Sequence, residues 1–246
     1  MPSSKSNDGR GRFDRRAFCK TAGVGVAFGI VGRARVGNVP EYVDLTKEQR
    51  DKLTPAEIIE QMKAGNERFR SGKPQHRDLV REAKATAKGQ YPAAIVFGCV
   101  DSRVPAEVIL DYGIGDIFSG RVAGNIADED IMGSMEFACK VTGSKVVLVM
   151  GHTACGAIKG AIDDVKLGNL TALLAKIRPA VEATQYTGER TAKNYAFVDA
   201  VARKNVELTI AKIREQSPVL RELESSGSIK IAGSMYNLET GVVDFF

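Results

Sequence analysis

The sequence of 246 residues predicts a single α/β domain with a mainly parallel central β-sheet flanked by helices. Short, continuous apolar runs at 93–98 (AAIVFG) and 145–150 (KVVLVM) read as strands buried on both faces, which is how strands of parallel sheets read. Segments of helical periodicity separate these runs, and strand–helix alternation is the pattern of a parallel sheet. No internal repeat or low-complexity linker divides the chain after its first 40 residues.

Taken in order, Thr54-Pro55 with Glu57 marks a helix start, and Ile58, Ile59, Met62 and Phe69 share its apolar face up to Gly72. The first buried strand is 93–98. A second strand is expected over 116–122. Residues 130–142 predict a helix carrying Met132, Met135, Phe137 and Ala138, stopped by Gly143. The strand at 145–150 leads to a further helix after Cys155. Leu170, Leu173, Leu174, Ile177 and Val181 form the stripe of one amphipathic helix. A longer helix is expected over 191–215. The chain closes with strands at 228–232 and 241–246 around a turn at Glu239-Thr240-Gly241.

Hydrophobic residues at 43% and charged residues at 26% are ordinary globular composition, so disorder is expected only at the ends. No apolar run is long enough for a stable membrane span. The net charge of +5 is unevenly spread: residues 1–37 hold eight Lys/Arg and two Asp/Glu, the remainder 27 and 28. The body therefore carries no basic excess with which to bind nucleic acid. Residues 1–37 read as a leader: Arg15-Arg16-Ala17-Phe18-Cys19-Lys20, then a weakly apolar stretch from Thr21 to Gly32. That arrangement resembles a twin-arginine export signal, with a disordered basic tail as the alternative. A periplasmic or otherwise exported protein is expected if the leader works, a cytoplasmic one if not. Cys19 belongs to this leader.

Two buried strands end in unusual chemistry. After 93–98 comes Cys99-Val100-Asp101-Ser102-Arg103, and after 145–150 comes Gly151-His152-Thr153-Ala154-Cys155-Gly156. Ligands gather beyond the carboxyl ends of strands in open α/β sheets, so the two loops are expected to meet. Two thiols and an imidazole are a recognised zinc ligand set with a fourth position to spare. A helix starting after Cys155 would favour its thiolate. A Cys99–Cys155 disulfide is the competing reading, although it accounts for neither His152 nor the Asp101/Arg103 pair. Four cysteines are too few for a disulfide framework. Cys139 is expected as a small core residue and His76, in a polar stretch, as solvated. No P-loop, Gly-x-Gly-x-x-Gly after a strand, or Gly-x-Ser-x-Gly occurs.

These two motifs, with Arg121-Val122-Ala123-Gly124-Asn125 between them, resemble the β-class carbonic anhydrases. Gly65-Asn66-Glu67-Arg68-Phe69 and Tyr236-Asn237-Leu238-Glu239-Thr240-Gly241 are also similar to that family, and the resemblance makes 54–246 the catalytic domain. It implies zinc-dependent, reversible hydration of carbon dioxide to bicarbonate and a proton, by attack of zinc-bound hydroxide. It implies zinc on Cys99, His152 and Cys155, and a catalytic dyad of Asp101 and Arg103, with Asp101 able to swing onto the metal and close the site. It further implies that Gln90 donates a hydrogen bond to substrate, and that Phe118 and Ala123 line an apolar pocket. In the family a larger aliphatic residue often stands where this chain has Ala123. Homodimers or higher oligomers, with sites near the subunit interface, are implied as well. Hydrolysis of carbon disulfide or carbonyl sulfide on the same ligands is one alternative function, and a non-catalytic zinc or redox module is another.

Overall fold

The computed structural model describes residues 45–246; the leader, with Arg15, Arg16 and Cys19, lies outside them. Two helices open the described chain, and each carries its start signal in sequence. In α1 (Lys47–Lys52) Thr46 and Gln49 form a capping box, and in α2 (Pro55–Arg70) Thr54 and Glu57 do the same, with Pro55 in the first turn. Helix α2 buries Ile58, Ile59, Met62, Gly65 and Asn66. Gly65 is required by contact: a Cβ there would lie 1.9 Å from the Leu110 carbonyl oxygen. Asn66 ties together distant backbone, donating to the carbonyls of Ile109 and Gly241 and accepting from the N–H of Val243.

After α3 (Leu79–Thr86) come β1 (Ala94–Gly98), α4 (Ala106–Ile109) and β2 (Ile117–Arg121). Helix α5 (Glu129–Glu136), capped by Asp128, runs into a single π turn over Phe137–Val141, and Gly143 ends it at φ 85°. Strand β3 (Val146–His152) extends past the apolar run because Gly151 and His152 pair with Met235 and Tyr236. Then follow α6 (Gly156–Ile162), α7 (Gly168–Ala175), α8 (Arg178–Ala183), α9 (Tyr195–Gln216), α10 (Pro218–Ser225), β4 (Lys230–Tyr236) and β5 (Val243–Phe245).

The sheet order is β2-β1-β3-β4-β5, parallel throughout except for the β4–β5 pair. This is a single α/β domain of the predicted class. Alternate residues of β1 and β3 feed two apolar layers. Ala94, Val96, Leu148 and Met150 pack with α2 and with Ile109 and Leu110, while Ile95, Phe97, Val147 and Val149 meet Met135 of α5 and Val206, Ile210 and Ile213 of α9. Each large side chain removed from water in these layers contributes about 1.5–3 kcal/mol. No described helix is long and apolar enough to cross a membrane.

Three expectations need correction, the first being the strand over 228–232, which runs instead over Lys230–Tyr236 because its last two residues pair with Gly151 and His152. The stripe from Leu170 to Val181 is carried by two short helices rather than one. Pro179 is the cause: inside a continuous helix its ring would strike the carbonyl of residue 175, so the chain breaks and α8 restarts with proline in its first turn. The stripe still does its work, with Leu174 and Ile177 buried. Helix α9 starts at Tyr195 rather than 191, because the Asn194 side chain accepts from the Phe197 N–H and caps it there.

Candidate metal centre

Parallel pairing of β1 with β3 aligns Gly98 with Met150, which brings the chain ends beyond both strands side by side. Cys99 follows β1 directly, His152 is the last residue of β3, and Cys155 is the residue before α6. Their ligating atoms all lie within 4.8 Å of one another, and all three residues are buried. Residues 53 positions apart in sequence thus meet as expected.

The imidazole is set for a metal by its own backbone. Nδ1 lies 2.9 Å from the Thr153 carbonyl oxygen, to which only an N–H can bond, so Nε2 keeps its lone pair. That Nε2 is buried and has no hydrogen-bond partner among the described residues. An orphaned acceptor facing two thiols fits a thiophilic cation. The sulfurs of Cys99 and Cys155 stand 4.0 Å apart as free thiols, close to the ~3.8 Å that tetrahedral zinc–sulfur bonds require. The residues present therefore fit zinc, and the disulfide reading finds no bond here. The pKa of Cys99 is lowered by the Cys155 thiol first, then by His152 and by the Gly124 N–H, 3.3 Å from its sulfur, with burial opposing. The neighbouring thiolate and burial drive Cys155 upward, while the first N–H groups of α6 oppose that shift.

Asp101 lies at the mouth of this group, with Oδ2 3.9 Å from His152 Nε2. It is not free to move: the Arg103 guanidinium donates through Nε to Oδ1 (2.9 Å) and through Nη2 to Oδ2 (2.7 Å), and the Arg103 N–H adds a third bond. Arg103 holds the carboxyl well below the usual carboxylate range. In this structure Asp101 belongs to the arginine pair and stands outside the three-ligand group.

The remaining site residues divide. Ala123 adjoins Gly124 and so sits beside Cys99. Phe118 lies three positions before Arg121 on β2, edge-on to Phe137 at 6.1 Å between ring centres, and lines a hollow of about 720 Å³ with Phe97 and Ile131. Gln90 is exposed and precedes β1 at the end of the sheet opposite Cys99. Within one chain, neither Phe118 nor Gln90 joins the metal group. Cys139 is buried in the π turn, its thiol pushed up to about 12 by burial, and His76 is exposed, both as expected.

Three residues to which the sequence assigns no role of their own shape the loops. Arg121 donates to the carbonyls of Cys99 and Asp101 and so pins the loop between them. Asn205 of α9 donates to the Gly124 carbonyl at 2.7 Å. Asp199, also on α9, accepts the Ala154 N–H at 2.8 Å. Only the fold brings these side chains to backbone groups so distant in sequence.

The carbonic anhydrase family model matches residues 94–243. Carbonic anhydrase 2 of Mycobacterium tuberculosis is 35% identical over 193 residues, which span 76% of this chain and 90% of that protein. A carbonic anhydrase of Mycolicibacterium smegmatis is 32% identical over 196 residues, 77% of this chain and 92% of its own. Among solved structures, a tetrameric β-carbonic anhydrase of Sordaria macrospora is similar with a TM-score of 0.59 and 27% identity, covering 66% of this chain and 84% of that one. The Coccomyxa β-carbonic anhydrase, in complex with acetazolamide, is similar with a TM-score of 0.61 and 25% identity, over 68% of this chain and 77% of that one.

Proposed function

The chain belongs to the carbonic anhydrase family, in its β class, and from that premise we propose how its residues share the reversible hydration of carbon dioxide to bicarbonate and a proton. It is an enzyme of that activity. We assign a single zinc ion to Cys99 Sγ, His152 Nε2 and Cys155 Sγ; the observation that carries the assignment is the buried, unpartnered Nε2 facing two thiols. Zinc held by these three residues would lower the pKa of a water and so supply a nucleophile at neutral pH.

Asp101 has the second role. Ionised and aimed by Arg103, its Oδ2 is placed to accept a hydrogen bond from a nucleophilic hydroxyl at the mouth of the group and so would orient that hydroxyl toward carbon dioxide. Arg103 fixes that direction through a bidentate pair, which a lysine in its place would not reproduce. Release of the same pair would free Asp101 to occupy the fourth metal position and close the site, so the pair doubles as a latch. Ala123 belongs to the apolar wall beside Cys99. Gln90 and Phe118 serve the site of a second copy of the chain, a reading supported by their separation from their own metal group and by the tetrameric relative. For the leader we propose export through the twin-arginine route, resting on Arg15-Arg16 and the apolar stretch behind them.

The deciding experiment is metal analysis paired with stopped-flow carbon dioxide hydration on the full chain. One zinc per chain and rapid hydration are expected in the wild type, and loss of both in His152→Ala. Hydration that persists in His152→Ala would overturn the assignment.

A further inference from the structure

We infer that Asp199 is a positioning residue of the metal centre: by holding Ala154 in its left-handed conformation it sets where Cys155 presents its sulfur. The inference rests on the assignment of Cys99, His152 and Cys155 as the zinc ligands. The three ligands are not equally well placed by the sheet. His152 is paired in register with Tyr236, and the Thr153 N–H still bonds the Tyr236 carbonyl at 3.0 Å. Cys99 follows the last β1 pair directly, and Arg121 pins its carbonyl. Cys155 has neither hold: it comes three residues after β3 ends, across a turn that the sheet does not template.

That turn runs through Ala154 at φ 55°, a conformation that a side chain with a Cβ seldom adopts unaided. Its backbone N–H is accepted by Asp199 Oδ1 at 2.8 Å. A carboxylate acceptor makes this a charge-assisted bond, stronger than a neutral one. Asp199 comes from α9, whose neighbouring residues Phe197, Val198, Val201 and Ala202 are buried in the same apolar cluster as Cys155. The anchor is therefore rigid, and the bond transmits the position of the helix to the turn. Thr153, one residue earlier, is held in the same manner, its hydroxyl accepting the Leu238 N–H at 3.0 Å. Asp199 itself touches no ligand atom in this arrangement; it works through the backbone of the residue before Cys155.

Four full-length proteins test this: wild type, Asp199→Asn, Asp199→Ala, and Asp199→Ala combined with Ala154→Gly. The readouts are zinc affinity by chelator competition and the absorption of the cobalt(II) form, whose thiolate charge-transfer and d–d bands report sulfur geometry. Asp199→Ala is expected to weaken zinc binding by roughly 10- to 100-fold and to alter the cobalt bands. Asp199→Asn, which keeps an acceptor oxygen for the Ala154 N–H, is expected to behave as wild type in both. The double variant is expected to recover, because glycine adopts positive φ without help. Wild-type affinity and bands in Asp199→Ala would overturn the inference, as would an Asn variant as weak as the Ala variant. Should Asp199→Ala alone fail to fold, the double variant decides: refolding with zinc retained upholds the inference, and failure to fold overturns it. A wild type that binds no zinc would instead sink the ligand assignment, an outcome distinct from all of these.

Discussion

Arg103 and Asp101 form a unit confined to three consecutive residues, closed by two guanidinium bonds and one backbone bond. Neither is among the grouped ligands, so substitution should separate chemistry from metal binding. Arg103→Ala is expected to lower hydration by roughly 10²-fold or more while the protein keeps its zinc; metal loss measured in that variant would make Arg103 structural. The pair also bears on pH. Arg103 depresses the Asp101 pKa in the folded chain, so its stabilising contribution is present above the unfolded value of about 3.9. That contribution is lost only as pH falls through the lower folded value, and Asp101 stays ionised across neutral and alkaline assays. A dication offset by two thiolates and a neutral imidazole carries no net charge and acidifies water less than a three-histidine site would. Hydration is therefore expected to rise from pH 7 to pH 9, and a stopped-flow profile flat over that range would contradict the charge count. The grouping of Cys99, His152 and Cys155 and the closeness of Asp101 to Arg103 are legible in sequence because each lies at or just past the end of a buried apolar run, where reactive side chains are out of place in a core. The roles of Arg121, which stands in a quoted motif, and of Asn205 and Asp199 are not legible in sequence, since they consist of bonds to backbone 20 to 81 residues away.

At the scale of elements, α9 does more than cover the sheet. Asn205, Thr209 and Lys212 donate in sequence to the carbonyls of Gly124, Asn125 and Ala127. That ladder fixes a segment in which Gly124 and Asn125 both adopt positive φ, and from which the Gly124 N–H reaches Cys99. Glycine is needed at 124, where a Cβ would lie 2.6 Å from Ile177 Cδ1. Asn205→Ala would leave the buried Gly124 carbonyl unsatisfied, at a cost of about 1–3 kcal/mol, read as a lower urea midpoint with an unchanged slope. Most of the fold at this scale was visible beforehand. The strands announced themselves as apolar runs, and α2 through its capping box. The helices that the sequence pattern does not announce, α1, α3, α4 and α10, are eight residues or fewer. Too short to show a period, they take their stability from packing, as with Arg50 of α1, buried and donating to the Thr142 carbonyl at 2.7 Å.

For the molecule as a whole, the open side of β2 has no strand partner among the described residues. Phe118 and the half-exposed Phe137 lie beside that edge. Edges of this kind are normally covered, and a second copy of the chain is the expected cover. Sedimentation should give a dimer or larger assembly, and Gln90→Ala should slow hydration despite its distance from the metal group of its own chain. A fully active monomer would rule that out. For the leader, Arg15→Lys with Arg16→Lys is expected to keep the protein in the cytoplasmic fraction, whereas an unchanged distribution would end the export proposal. The burial of the ligands carries a last consequence for metal supply. Cys99, His152 and Cys155 are each 4% exposed or less, so an ion held there would exchange with solution only through local opening of the loops around it. Divalent metals compete for such sites by local abundance as much as by affinity. The identity of the ion would then be set in the compartment where the chain folds, and a chain exported after folding would carry the metal of its birthplace with it.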